Sequence, residues 1–212
     1  FNSGNSGGCR PKCLLHDDEG SWLVKFRHTY DPKDMGEMEY LYNKIARKCG
    51  ITVPDFKLID GKYFATKRFD VENGDRLHIA TAGAILNESI RQPKLEYKTL
   101  LHLTGYLTQN PQQVDEMFRR MVFNVLTENK DDHAKNFSFI CREGSWSLAP
   151  AYDLTRCSNG YNGEHATSVN NNGNPTIEDM IIVGESIRIP KKKGTEMIMS
   201  IAEKCSEISS II

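Results

Sequence analysis

Two short runs of apolar character, residues 9 to 16 and 21 to 27, read as strands and are separated by the polar stretch Asp17, Asp18, Glu19 and Gly20. Turn-forming residues between two apolar runs predict a β-hairpin. In the second run the two-residue period puts Trp22, Val24 and Phe26 on one face and Leu23, Lys25 and Arg27 on the other. Over residues 34 to 49 the period lengthens. Met38, Leu41, Ile45, Ala46 and Cys49 recur at helical spacing, and Gly50 is placed to end the helix. Residues 55 to 59 and 62 to 68 return to strand character across Asp60-Gly61, a two-residue turn signal.

From residue 69 the pattern becomes mainly helical, which puts a lobe boundary near Phe69 to Asn73. The expected fold is α+β in two lobes: a small β-rich N-lobe with one helix, residues 1–70, and a helical C-lobe, residues 71–212. The clearest helix opens at Asn110-Pro111, a polar cap followed by proline at the first helical position. Its apolar residues Val114, Met117, Phe118, Met121, Val122, Val125 and Leu126 step by three and four, as a core helix requires. Phe137 to Ile140 and Trp146 to Leu148 predict a third hairpin. Ser158 to Pro175, rich in asparagine and glycine, reads as a long, mobile, functional loop. Thr176 with Asp179 reads as a capping box opening a helix, and a last helix is expected after Gly194. No internal repeat is visible.

Composition narrows the function more than the fold. The chain has 212 residues, 39% hydrophobic and 26% charged, enough for a real core. A formal charge of −1 lacks the basic excess of a stand-alone nucleic-acid binder, so direct nucleic-acid contact is not expected. No run approaches the roughly 18 to 20 apolar residues of a membrane span. Phe1 to Gly8 is polar and glycine-rich rather than a signal peptide, so the expected location is cytoplasmic. The chain starts at Phe1 rather than methionine, which is consistent with a preceding piece. Cys9, Cys13, Cys49, Cys141, Cys157 and Cys205 are scattered, and only Cys9 and Cys13 are close, with nothing to complete a zinc site. They read as reduced, mostly buried thiols.

The candidate chemistry lies in two segments. Asp131-Asp132-His133-Ala134-Lys135-Asn136 has the spacing D-x-x-x-x-N of a kinase catalytic loop. Phosphoryl transfer needs a carboxylate to take the proton of the acceptor hydroxyl and a neutral oxygen ligand that holds magnesium without adding repulsion. Alone the spacing also fits a solvated turn, since Asp and Asn are common there. Asp153 follows across one hairpin, as a kinase's second metal ligand does, and hard magnesium takes such oxygen ligands. A turn or cap role for Asp153 is the plainer alternative. Lys25 sits on the second strand, where a kinase grips the α- and β-phosphates, although a strand lysine can also simply reach for water. Glu39 could pair with it, and Glu37 competes for that role. Ser3-Gly4-Asn5-Ser6-Gly7-Gly8 could bring backbone N–H groups to phosphates or be a frayed terminus. Lys67-Arg68-Phe69-Asp70 falls where a hinge would meet a nucleotide base.

Together, Asp131 to Ser138 and Leu148-Ala149-Pro150-Ala151-Tyr152-Asp153-Leu154 resemble the HipA-like family of toxin kinases. Ser6-Gly7-Gly8-Cys9-Arg10-Pro11-Lys12 looks like the family's glycine-rich loop, and the resemblance spans residues 3 to 205. It implies a two-lobed protein-kinase-like fold, ATP and magnesium as cofactors, and transfer to serine or threonine of a protein substrate, in some members an aminoacyl-tRNA synthetase. It also implies a DNA-binding antitoxin as partner. Carried over by position, Asp131 is the catalytic base and Asn136 and Asp153 are metal ligands. Lys25, Ser6, Gly7, Gly8, Lys67 and Phe69 bind the nucleotide, and Ser3 or Ser6 is the autophosphorylation site.

Departures from the broader kinase pattern are plain. Asn129-Lys130 replaces the usual His-Arg before the catalytic aspartate, and Leu154-Thr155 replaces Phe-Gly after the metal aspartate. Longer HipA-like proteins carry an N-terminal subdomain before the loop, so here either a separate small protein supplies it or it is missing from the sequence. Two other functions compete. A metal-dependent phosphoesterase could use Asp131, Asp132, His133 and Asp153 around two metals, but leaves Lys25 and Gly7-Gly8 without a role. An inactive kinase-fold binding module would keep the fold alone.

Overall fold

The computed structural model describes residues 10–29, 32–72, 74–88 and 94–209. β1 (Lys12–Asp17) and β2 (Gly20–Lys25) form the first expected hairpin, with Cys13 opposite Val24 and Asp17 opposite Gly20. β3 (Phe56–Ile59) and β4 (Tyr63–Lys67) form the second. Leu23 of β2 also lies opposite Thr66 of β4, which joins the hairpins in one sheet of order β1-β2-β4-β3. The strand period then sorts the faces. Trp22, Val24 and Ala65 bury themselves in a small cluster with Phe26 and Tyr63. Leu14, Leu23, Lys25, Phe64 and Thr66 face a cleft.

Helix α1 (Met35–Lys48) packs against β3 and β4 of this sheet. Its first turn approaches the β3–β4 turn so closely that a Cβ on Gly36 would stand 2.0 Å from the Lys62 carbonyl oxygen, a fit open only to glycine. Tyr42, Ile45 and Ala46 are fully buried, and they belong to the main core rather than to the sheet's cluster. The Tyr42 hydroxyl donates to the Thr127 carbonyl at 2.8 Å, tying α1 to the helical lobe.

That lobe begins with two short strands, β5 (Val71–Glu72) and β6 (Asp75–Arg76). Next come β7 (His78–Thr81), α2 (Ala82–Ile85) and α3 (Tyr97–Thr108), none of which the sequence pattern singled out. α4 (Pro111–Leu126) starts as expected, the Asn110 side chain accepting from the Gln112 amide at 2.9 Å. Met121, Val122, Phe123 and Asn124 are buried in succession, so this helix is surrounded at its C-terminal end. The third hairpin, β8 (Ser138–Arg142) and β9 (Ser145–Leu148), gains β7 as a third strand, with Ala80 opposite Phe139.

The rest of the lobe corrects three expectations. Ser158 to Pro175 is packed rather than mobile: His165, Thr167 and Val169 are buried, and short bridges join Tyr161 to Glu164 and Ser168 to Glu96. Its polar residues satisfy inward-facing groups, which composition alone does not reveal. α5 (Ile177–Ser186) opens with the Thr176–Asp179 capping box, but α6 (Lys191–Ser209) starts directly after Pro190, with Gly194 inside its first turn. Of the described cysteines only Cys49 and Cys205 are buried; Cys13, Cys141 and Cys157 are half-buried, and none forms a disulfide. No helix among the described residues is long and apolar enough to cross a membrane.

Candidate active site

The cleft between the sheet and the helical lobe has a volume of about 410 Å³, within the range of small-molecule sites. The strand period aims the Lys25 ammonium into it from β2. There Lys25 donates to Glu39 of α1 at 2.5 Å and also to Asp153. Glu39 is 3% exposed and is therefore the partner, not Glu37. Burial pulls the Lys25 pKa down, but the charges of Glu39 and then Asp153 outweigh it and hold the ammonium above its ordinary range. Burial raises Glu39 despite Lys25 beside it. Asp153 is also pushed up by burial, yet Lys25 prevails and keeps it below the usual carboxylate range. A carboxylate held anionic is what a hard cation requires.

Asp153 follows β9 on a loop anchored at both sides. The Ala149 amide donates to the Ser138 carbonyl at 2.9 Å, and the Ala151 amide donates to the Thr52 carbonyl at 2.8 Å. Asp153 itself takes a left-handed backbone, φ 54°. Such conformations in non-glycine residues gather at functional sites, where the surroundings impose them.

Asp131 follows shortly after the C-terminal end of α4. Its side chain is 61% exposed, with His133 Nε2 at 3.8 Å. Burial raises its pKa, His133 lowers it, and the nearby charge of Asp153 raises it again, leaving it above the ordinary value. The two carboxylates are thus close enough to act on each other. Asn136 ends a 3₁₀ turn, Ala134–Asn136, and its Nδ2 donates to the Asp131 carbonyl at 2.8 Å. That bond engages the amide nitrogen and not Oδ1. Asp132 is different in kind: it is 1% exposed and accepts from Tyr97, His165 and Thr167.

Lys67 and Phe69 line the same cleft as Lys25, as do Tyr152 and the mutually paired Arg68 and Asp70. Phe69 stacks on Tyr152, ring centroids 5.6 Å apart and planes 27° from parallel. Tyr152 is fixed by its hydroxyl, which lies 2.5 Å from the Ser138 hydroxyl and donates to the Lys135 carbonyl at 2.5 Å. Sequence reasoning gave Tyr152 no role and Asp132 only a place in the competing phosphoesterase's metal site. The aromatic residue directly before Asp153 was a usable signal for the first, whereas nothing local distinguishes Asp132. Ser3, Ser6, Gly7 and Gly8 lie outside the described residues.

The residues present fit a nucleotide with magnesium. The cleft offers apolar walls from Leu14, Leu23 and Phe64, an aromatic pair, a buried ammonium and the Asp153 carboxylate, whereas Asp131 and Asn136 lie outside its lining and Asn136 borders a smaller cavity. A sheet lysine paired with a helix glutamate, set over a helical lobe that carries Asp131, Asn136 and Asp153, defines a two-lobed protein of the kinase-like class.

The chain belongs to the family of the HipA-like C-terminal domain, which it matches over residues 4–208. It is 30% identical over 169 residues to Y4dM of Sinorhizobium fredii, a provisionally named kinase, covering 71% of this chain and 41% of that protein. A second provisionally named kinase, from Haemophilus influenzae, is 26% identical over 161 residues, or 67% of this chain and 47% of that one. The chain thus spans less than half the length of these two relatives. Among solved structures, Shewanella oneidensis HipA, determined with HipB and operator DNA, aligns with a TM-score of 0.78 at 18% identity, over 97% of this chain and 58% of that chain. Helicobacter pylori CtkA, a proinflammatory kinase, aligns at 0.57 and 14% identity, over 92% and 90%. At such identities the likeness establishes the fold.

Proposed function

We propose that this chain is an ATP- and magnesium-dependent serine/threonine protein kinase and the toxin component of a bacterial toxin-antitoxin system. The observation that carries the reading is the Lys25 ammonium bound to both Glu39 and Asp153 inside a nucleotide-sized cleft. A phosphoesterase has no use for that pairing, whereas a kinase uses it to place phosphates. In this reading residues 1–70 form the N-lobe and 71–212 the C-lobe.

Each side chain then has one task. Asp131 accepts the proton of the acceptor hydroxyl, and its raised pKa makes it a better base than an ordinary carboxylate. Lys25 moves its bond from Asp153 to phosphate oxygens while Glu39 keeps it oriented. Asn136 Oδ1 and the Asp153 carboxylate hold magnesium, which supplies charge neutralisation for the phosphates. Phe69 and Tyr152, with the Lys67 segment, hold the base. The partners in this reading are a protein substrate, for which an aminoacyl-tRNA synthetase is the family's example, and a DNA-binding antitoxin of the kind seen beside Shewanella HipA. Ser3 and Ser6 are candidate sites of self-modification, and the compartment is the cytoplasm.

The test is incubation with labelled ATP, with and without magnesium, followed by mass spectrometry of the chain and of co-purified proteins. Magnesium-dependent phosphoserine or phosphothreonine is the expected product. Nucleotide binding with no transfer to any protein would point instead to an inactive binding module.

A further inference from the structure

Among the described residues, three buried side-chain atoms lack a hydrogen-bond partner, and two of them, Asn129 Oδ1 and Arg120 Nε, belong to residues lining one small cavity. Its volume is about 10 Å³, and Asn124, Asp132, Asn136 and Tyr152 are among the other residues of its wall. Asn129 is 2% exposed and Arg120 3%. An unsatisfied buried acceptor or donor costs ~1–3 kcal/mol. A cavity of about one probe sphere with polar partners is room for a single water.

The two atoms terminate two separate polar chains. From Asn129, Nδ2 donates to Asn124 Oδ1 at 2.9 Å, and Asn124 Nδ2 donates to the Tyr97 hydroxyl at 2.9 Å. The Tyr97 hydroxyl donates to Asp132 at 2.8 Å, and the same Asp132 oxygen lies 2.9 Å from His165 Nδ1. This chain belongs to the base loop. From Arg120, Nη2 donates to the Ala149 carbonyl at 2.8 Å, which opens the metal loop. Arg120 Nη2 also bonds Glu116 at 2.5 Å, so its guanidinium is fixed in place.

We propose that this cavity binds one ordered water that accepts from Arg120 Nε and donates to Asn129 Oδ1, joining the base loop and the metal loop in a single polar network. A water is suited to the gap because it supplies both missing roles, donor and acceptor, in the space available. Asn129, Asn124, Tyr97 and Arg120 are then positioning residues. Their effect on turnover rests on the roles proposed above for Asp131 and Asp153, but the water site does not. Reacting groups displaced by an ångström lose much of their advantage, so a link between these loops matters to transfer.

Two measurements test this. A crystal structure of the whole chain at a resolution that shows waters should place one within hydrogen-bond distance of both atoms. A direct Asn129–Arg120 contact, or no density in the cavity, overturns the site. Hydrogen exchange of the parent and of Tyr97→Phe is the second. Breaking the chain at Tyr97 should raise exchange of amides in 128–136 and in 149–154 together, roughly tenfold for one lost buried bond, while α6 keeps its protection. Loosening of the base loop alone, of neither loop, or of all elements equally overturns the coupling. Where the kinase reading holds, the same variant should lower kcat with KM for ATP within about twofold, an interaction lost only in the transition state. A parent without turnover would sink that reading and leave the density and exchange results to decide the water.

Discussion

The Lys25 ammonium stands between Glu39 and Asp153, bonded to both, so one cation on the sheet balances a carboxylate from α1 and another from the metal loop. Replacing Glu39 by Gln should leave Lys25 held chiefly by Asp153, in competition with a metal for that carboxylate. Magnesium titrations of nucleotide binding should then show a higher magnesium requirement, with affinity in chelator little changed. An unaltered requirement would mean that Glu39 serves the fold only.

Asp131→Asn should reduce phosphoryl transfer by about 100-fold or more while nucleotide affinity stays near that of the parent. Because burial and neighbouring charge raise the Asp131 pKa, the rate should fall on the acid side at a higher pH than an ordinary aspartate would give. The base works only when deprotonated, so activity rises with pH through that pKa. A fully active Asp131→Asn would remove the kinase assignment, and equal loss in Asp132→Asn with unchanged loop exchange would mean the wrong carboxylate has been chosen.

Asp153→Ala and Asn136→Ala should weaken nucleotide binding when magnesium is present and not in chelator, since each removes an oxygen ligand. Calorimetry under both conditions checks it. Parent-like binding in magnesium by both variants would make these residues structural.

Gly36→Ala should destabilise the chain by ~1–3 kcal/mol, as overpacking does, because the added carbon meets the Lys62 carbonyl at 2.0 Å. Denaturant unfolding measures the loss. Parent-like stability would show that the first turn of α1 can draw away from the β3–β4 turn without cost.

Acid should loosen the start of α5. Hydrogen bonds from Asn170, then the Thr176 amide and hydroxyl, hold Asp179 down at about 2, against an ordinary 3.8. A depressed pKa contributes stability that is present above the unfolded value and lost as pH falls toward the folded one. Between about pH 4 and 2 the parent should therefore lose stability that Asp179→Asn lacks from the outset. Parallel acid-unfolding curves would contradict this.

Much of the fold was legible because its signals are local. The Asp60-Gly61 turn, the Asn110-Pro111 cap and the Thr176–Asp179 box each satisfy backbone groups within a few residues. α3 was missed for the opposite reason: Glu96 at its start makes no side-chain cap bond, and its apolar face is buried by distant partners. β7 finds its partner strand some sixty residues away, beyond any periodicity. At the candidate site, strand position and the segment after the third hairpin led to Lys25 and Asp153, which share the cleft. The stack of Tyr152 on Phe69 and the buried structural setting of Asp132 were not legible, since both depend on residues distant in sequence.

The burial of Tyr42, Ile45 and Ala46 in the larger core has a mechanical consequence. Rotating α1 outward would tear Tyr42 from Thr127 and expose three fully buried side chains, so the helix behaves as a fixed strut, not a lever. Glu39 stays opposite Lys25 for as long as that core is intact. A change in the cleft that swung this helix away would begin to unfold the chain.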